Sequence, residues 1–513
     1  MTDRFTIYRS SRVPLLAHAA SLVLLLAVLA SPSSAQHSGI YDFARARSVI
    51  DSVMIADRIP SVAVAVAKGD RILWEAGFGL ADVERRLPAT EHTPYSLASI
   101  SKPFTATGVM ILAQQGFVRL RAPVNHYLGG ARVIAREGSA DGVTIERLLT
   151  HTAGLPLHYQ FFYEDAGYAR PPMDSTIRRY AIAVYPPGEA YQYSNLGYGL
   201  LDYVIARKSG KSYAEFMRRE VFAPLGLTNT SVGVPLGPLS RFAQRYDADN
   251  RPIPYYTFDH PGASEIYSSA DDLVRFGMFH LGTRPRGQRQ PLARETVQDM
   301  QRDVAVEAPG ATRGLGWGIL SVFGVRRVSH SGGMPGVSTF FALYPEERVV
   351  VVALLNKSIR GATDAIVTEL SAAVLPRFTA GLGARRGAPP PTAAPAVDSA
   401  VLAAMQGEWR GFVYTYADSV PARLIVPAAG APQLALSGGP AVSLTNVSAQ
   451  RGVLSARAPV QLAAADLARH AHQTVLWLRH SAARLSGYAA AQTTTPRGYY
   501  ALSSYVRLER VTP

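Results

Sequence analysis

At 513 residues, 48% hydrophobic and 18% charged, the chain carries enough apolar side chain to build the cores of two globular domains. It is neither charge-rich nor periodic in glycine, which excludes disordered, collagenous and coiled-coil proteins. The formal charge is +14, but only five of the 52 basic residues are lysine (Lys68, Lys102, Lys208, Lys211 and Lys357), and the 47 arginines are scattered singly or in pairs such as Arg178-Arg179 and Arg326-Arg327. No run of five like charges marks a nucleic-acid arm, so no nucleic-acid partner is expected. There is no cysteine. Disulfides, thiolate metal sites and cysteine nucleophiles are therefore excluded.

The first 35 residues predict an export signal. Arg4, Arg9 and Arg12 precede the apolar run Ser21–Ala30, and Ser33-Ser-Ala35 offers a cleavage site after Ala35. The apolar stretch is broken by Pro14, His18 and Ser21, and it falls short of the roughly 20 residues a spanning helix needs. A periplasmic or secreted protein with no stable transmembrane anchor is expected. Residues 36–382 then form one domain, followed by a Pro/Ala-rich linker over 383–398, with prolines at 389, 390, 391 and 395. Residues 399–513 form a second domain.

In the large domain, Ser61–Lys68 and Arg71–Ala76 predict a hairpin around Gly69-Asp70. A helical section follows, with Phe104–Gln115 and Tyr198–Lys208 among its helices. Strands at Gly324–Ser329, Gly336–Tyr344 and Arg348–Leu355 close the domain, the last two joined by a turn at Pro345-Glu-Glu347. Strands at both ends with helices between predict an α/β architecture, one antiparallel sheet plus a helical region. The tail shows eight β-like runs at 409–416, 424–426, 433–437, 441–447, 453–457, 474–480, 484–489 and 499–507. They predict a small all-β, barrel-like domain.

Three stretches carry chemistry. In Ser99-Ile-Ser-Lys102 the serine and lysine stand one helical turn apart, and Pro103 keeps the helix start close to Ser99. A buried lysine can lose its proton and serve as base for that hydroxyl. In Tyr193-Ser-Asn195 a tyrosine can pass a proton, and an amide can orient a substrate carbonyl while bonding the lysine. His330-Ser331-Gly332-Gly333 ends a strand; its small residues would let a substrate backbone lie along the edge, and a backbone N–H there could complete an oxyanion hole. Taken singly, each stretch also fits a plain structural role: a capped helix, a loop before a helix, a tight turn.

In this order the three stretches resemble the motifs of the serine β-lactamase and penicillin-binding-protein superfamily, most closely its class C, DD-peptidase, D-aminopeptidase and esterase branch. Leu148-Leu-Thr-His-Thr-Ala-Gly-Leu-Pro156, Pro224–Thr230, Ser268–Leu273 and Gly314-Leu-Gly-Trp-Gly318 are also similar to that family, over about residues 40–380. Gly407-Glu-Trp409 resembles the opening of lipocalin-like barrels. The resemblance implies that Ser99 attacks a carbonyl with Lys102 as base, and that Tyr193 shuttles the proton. Asn195, His330, Ser331 and Gly332 would bind substrate, and the N–H groups of Ser99 and Gly333 would form the oxyanion hole. The division of the base role between Lys102 and Tyr193 stays open at this level.

No metal or organic cofactor is implied, and the 12 histidines show no His-Glu-x-x-His spacing. The expected substrate is a small molecule or peptide, with cell-wall peptides, D-residue peptides and simple esters as candidates. His330 stands where penicillin-specialised relatives carry lysine, which argues against an efficient β-lactamase. If it titrated near its ordinary value of about 6.5, activity on anionic substrates would follow a bell-shaped pH profile. A true β-lactamase and a catalytically silent envelope protein are the rival readings.

Overall fold

Ser61–Lys68 alternates valine with alanine, and it is buried from Ser61 to Ala67. Alternation sends Val62, Val64 and Val66 to one face and Ala63, Ala65 and Ala67 to the other. The valine face packs with Ile50 of helix Ala44–Ala56 and with Ile366 and Leu370 of helix Ala362–Val374. The alanine face admits helix Ala270–His280 at short range. At Gly277 of that helix an added Cβ would come within 2.5 Å of Val350 Cγ1, so the approach requires glycine.

The computed structural model describes residues 41–234, 242–283, 288–359, 361–386, 397–493, 495 and 497–511. The expected export signal lies outside the described residues, and so does most of the expected linker. No helix among the described residues is long and apolar enough to cross a membrane.

Nine strands form the large sheet, in the order Ala305–Ala308, Ala311–Arg313, Gly318–Val322, Val325–Met334, Val337–Tyr344, Val349–Leu355, Ser61–Lys68, Arg71–Asp82 and Leu87–Pro88. Every pairing is antiparallel, and the N-terminal hairpin joins the C-terminal strands at Val62↔Leu355. The expected mixed α/β architecture is therefore present, with helices Ser101–Gln114, Asn195–Ser209 and Ala270–His280 between the two groups of strands. One expected boundary is corrected. The strand predicted to end at Ser329 runs on to Met334, so His330–Gly333 is sheet and not a turn.

The C-terminal region forms a nearly closed antiparallel barrel of nine strands rather than eight runs. The expected run 441–447 divides into Val442–Ser443 and Thr445–Gln450, and these two ends leave the ring open. The first strand, Gly407–Tyr414, pairs with both Ser419–Val426 and the last strand, Tyr500–Arg510. Trp409, Leu424, Leu476, Leu478 and Leu508 are fully buried in its core. Helix Pro376–Arg386 takes in the first residues of the expected linker, and Asp398 at its other end caps helix Ser399–Ala404.

Barrel and α/β region are joined by backbone, apolar and charged contacts. Strand Tyr159–Tyr163 pairs with the last barrel strand at Gln160↔Tyr500 and Tyr159↔Ala501. Ile182, Val184 and Tyr185 share a core with Tyr488, Ala490 and Tyr505. Asp466 accepts hydrogen bonds of 2.8 Å from Arg179 Nη1 and from Tyr180 OH.

Trp409 anchors the barrel: its indole N–H donates to Met405 O at 2.8 Å, and Arg510 lies 4.2 Å above the ring. Trp409→Ala should cost about 3–5 kcal/mol of barrel stability, read as a fall in the denaturant midpoint of the full chain. An unchanged midpoint would show that the indole is not part of the cooperative core.

Candidate active site

Ser99 sits in a 3-10 turn, Ala98–Ile100, that leads directly into helix Ser101–Gln114. Side chains at i and i+3 eclipse in such a turn, which aligns Ser99 with Lys102 more closely than an α-helix would. The turn is held from outside: Leu97 N–H donates to Ile266 O at 2.9 Å, and Ser101 Oγ accepts from Ile266 N–H at 3.0 Å. Ser101 is fully buried, whereas Ser99 is partly open.

Lys102 Nζ lies 3.0 Å from Ser99 Oγ, 2.8 Å from Asn195 Oδ1 and 3.0 Å from Ala263 O. The last two atoms can only accept. The three contacts offer an acceptor to each N–H bond of an ammonium; once the amine loses its proton, the two pure acceptors keep its hydrogens and its lone pair turns to the Ser99 hydroxyl. Burial, reinforced by the positive charge of Arg313, pushes Lys102 well below its ordinary lysine value. Loss of the proton is thereby favoured, with Ser99 Oγ within reach of the free amine.

Tyr193 and Asn195 arrive together from the loop before helix Asn195–Ser209, whose cap is Ser194 Oγ accepting from Gly197 N–H. Tyr193 OH donates to Ser99 Oγ at 2.8 Å. Burial pushes its phenol up to about 12, partly offset by that bond to Ser99, so it keeps its proton across the neutral range. Asn195 Nδ2 donates to His158 O at 2.9 Å; this fixes which way the amide points and turns Oδ1 to the lysine. Ser99 Oγ thus lies within hydrogen-bond distance of an amine that burial lowers and of a phenol that burial raises.

The third stretch reaches the site as a strand edge. Pairing with Gly318–Val322 ends at Gly318↔Ser329, and His330, Ser331, Gly333 and Met334, though not Gly332, line the cavity where that neighbour stops. Gly332 is required by close approach and not by a turn, because a Cβ there would lie 2.2 Å from Leu97 O and 2.2 Å from Thr339 Oγ1. Ser99, Tyr193, Asn195, His330, Ser331 and Gly333 all line one cavity of about 840 Å³. Gly332 is buried between Ser331 and Gly333, both exposed.

His330 corrects an expectation about charge. Its Nδ1–H donates to Ser331 O at 2.8 Å, leaving Nε2 buried without a partner. Burial and the nearby Lys102 and Arg313 push the imidazole well below 6.5. The neutral form is favoured, which argues against the bell-shaped profile expected of an ordinary imidazole. The Arg313 guanidinium is itself bound by Glu307, with Nε–Oε2 at 2.7 Å, and donates to Tyr191 OH at 2.9 Å.

Several residues of the site escaped sequence reading. His151 lies within the familial stretch Leu148–Pro156, which was the available signal. Its Nδ1 accepts from Ser194 N–H at 3.2 Å, and its ring lies 4.4 Å from that of Tyr193. His158, Ala263, Arg313 and Glu307 carry no such signal. His158, Asp259 and His260 are the one grouping with metal-ligand potential among the described residues. They are already bonded to each other: Asp259 meets His158 Nε2 at 2.9 Å and His260 Nδ1 at 2.6 Å. Burial raises Asp259, yet the two imidazoles outweigh it and hold the carboxyl below its usual range.

This arrangement generates a pH prediction. Activity should require neutral Lys102, so kcat/KM should fall as pH drops through that lysine's lowered value and then stay level to about pH 10. No second descending limb from His330 should appear between pH 6 and 8. A bell in that interval, abolished by His330→Gln, would show that the histidine titrates after all.

A Beta-lactamase family model matches residues 46–375. Over 318 residues the chain is 30% identical to Penicillin-binding protein 4* of Bacillus subtilis (strain 168), covering 57% of this chain and 67% of that protein. It is 24% identical over 322 residues to Protein flp of Staphylococcus aureus (strain COL), covering 60% of this chain and 62% of that one. The chain thus spans about two thirds of the length of these relatives. Its fold is similar to the octameric penicillin-binding protein homologue from Pyrococcus abyssi, with TM-score 0.55 and 21% identity over 91% of this chain and 99% of the other.

Proposed function

This chain belongs to the beta-lactamase family of serine hydrolases, and from that premise we propose that it hydrolyses esters or D-residue-containing peptides through a Ser99 acyl-enzyme. One observation carries the proposal: the buried Lys102 amine lies 3.0 Å from Ser99 Oγ, and its other two partners are the pure acceptors Asn195 Oδ1 and Ala263 O. Lys102 takes the Ser99 proton as Oγ attacks the carbonyl. Tyr193 gives its proton to the leaving group and regains one from the Lys102 ammonium, so the cluster returns to its starting charge. The second N–H of Asn195 is available to the substrate, since the first is held by His158 O. The backbone N–H groups of Ser99 and Gly333 receive the developing oxyanion. Water then releases the acyl group by the same steps in reverse order. No step calls for a cofactor.

The electrostatics favour substrates uncharged at the strand edge. A β-lactam brings a carboxylate there, where His330 is held neutral and Arg313 is already paired with Glu307. Charge pairs at such a partly open position are worth on the order of 1 kcal/mol, so the discrimination is several-fold. The export-like N-terminal sequence supports a periplasmic or secreted location, where small esters and cell-wall peptides are both available.

A fluorophosphonate probe should label Ser99, and Ser99→Ala should abolish the adduct. Ser101→Ala should keep it while losing stability, because that hydroxyl only accepts from Ile266 N–H. p-Nitrophenyl esters or D-amino-acid anilides should turn over faster than a cephalosporin. His330→Lys should raise kcat/KM several-fold for an anionic substrate and leave a neutral ester unchanged. Labelling that survives Ser99→Ala would refute the nucleophile, and a preference for the cephalosporin would favour the β-lactamase reading.

A further inference from the structure

One wall of the cavity is a row of aromatic rings. Phe258 lies 5.2 Å from the ring of His260, Phe161 lies 5.3 Å from Phe258, and Tyr159 lies 5.3 Å from Phe161. These side chains line the same cavity as Ser99, and Leu157 adds to the wall. At its far end Tyr159 OH accepts a 3.0 Å hydrogen bond from Gln492 Nε2 of barrel strand Arg484–Thr493. Thr493 beside it also lines the cavity, and its Oγ1 is held by Tyr499 N–H at 2.7 Å. Of the charged groups that line the cavity, Arg313 binds Glu307 and Arg497 binds Asp165 at 2.8 Å, while the Arg327 guanidinium lies 5.0 Å over the Phe340 ring.

We propose that this composite wall, from Phe258 through Phe161 and Tyr159 to Gln492 and Thr493, is an acyl-binding subsite that selects substrates with a hydrophobic acyl group. The barrel supplies part of the subsite, and is therefore a specificity element of the hydrolase. An acyl chain leaving the Ser99 carbonyl along the aromatic row exchanges water for ring faces. Each methylene so buried raises kcat/KM about three- to four-fold. A short acyl group such as acetyl stops before the row and gains nothing from it. The polar end, where Gln492 meets Tyr159, accommodates one hydrogen-bonding group and sets the length of the subsite.

The proposal rests on acylation of Ser99, and its test separates the two. The full chain is assayed with p-nitrophenyl acetate, butyrate, hexanoate and phenylacetate, each rate taken relative to uncatalysed hydrolysis. Labelling of Ser99 by a small fluorophosphonate is measured in parallel. We expect hexanoate and phenylacetate to exceed acetate by about ten-fold or more. Phe161→Ala should erase most of this preference while acetate turnover and Ser99 labelling stay within three-fold. Gln492→Ala, on the barrel and half-exposed, should shift the preferred chain length without touching the core. A flat chain-length profile in a wild-type chain that labels at Ser99 would overturn the subsite and leave the hydrolase reading intact. So would a steep profile unchanged in both variants. Absence of any Ser99 adduct in the wild-type chain would overturn both.

Discussion

A single buried amine organises this protein. Lys102 is fully enclosed, and its hydrogen-bond partners are a hydroxyl, an amide oxygen and a carbonyl rather than a carboxylate, with the positive Arg313 nearby. The cost of burying charge thus becomes chemistry, because it holds the amine as a base. The same enclosure holds Tyr193 protonated. Two groups whose ordinary values nearly coincide are pushed apart in opposite directions, the separation on which the proposed proton transfers rely.

Holding that amine in register requires parts from across the fold. Asn195 comes from a helix cap, and its amide is oriented by the carbonyl of His158. Ala263 O is presented by the short helix Pro261–Ser264, which is fastened where Gly262 N–H donates to Asp202 Oδ2 at 2.6 Å and Thr105 Oγ1 donates to Gly262 O at 2.6 Å. The strand edge approaches through Gly332, where any Cβ would strike Leu97 O, two residues before the serine. Ser99 is thus wedged between a helix start and a sheet edge with no room for slack.

The barrel extends this support. Ser503 Oγ donates to Leu157 O at 2.6 Å, one residue before His158. Gln192 Nε2 donates to Tyr488 OH at 3.3 Å, one residue before Tyr193. The C-terminal region therefore touches the Leu157 backbone and the Gln192 side chain as well as the cavity wall. An appended domain linked only by a proline-rich tether would not do so.

Much of the molecule was legible from its sequence because it depends on local periodicity and spacing. The Val/Ala alternation of Ser61–Lys68 can satisfy only a strand buried on both faces. Ser99 and Lys102 lie three residues apart, within reach whatever surrounds them. The order of three short motifs sufficed to identify the fold class. Contacts between residues far apart in the chain were not legible. Nothing near His330 in the sequence announces that burial and Arg313 will hold it neutral, and nothing in the tail announces that Gln492 meets Tyr159. The end of the strand at Met334 was missed because a pair of glycines also fits a turn, whereas the smallness of Gly332 serves the approach of Leu97. The sequence by itself determined which groups could do the chemistry and the elements that carry them. Their charge states, the orientation of the Asn195 amide and the barrel's share of the cavity were decided by tertiary structure alone, because each depends on what is packed against a group and not on what precedes it in the chain.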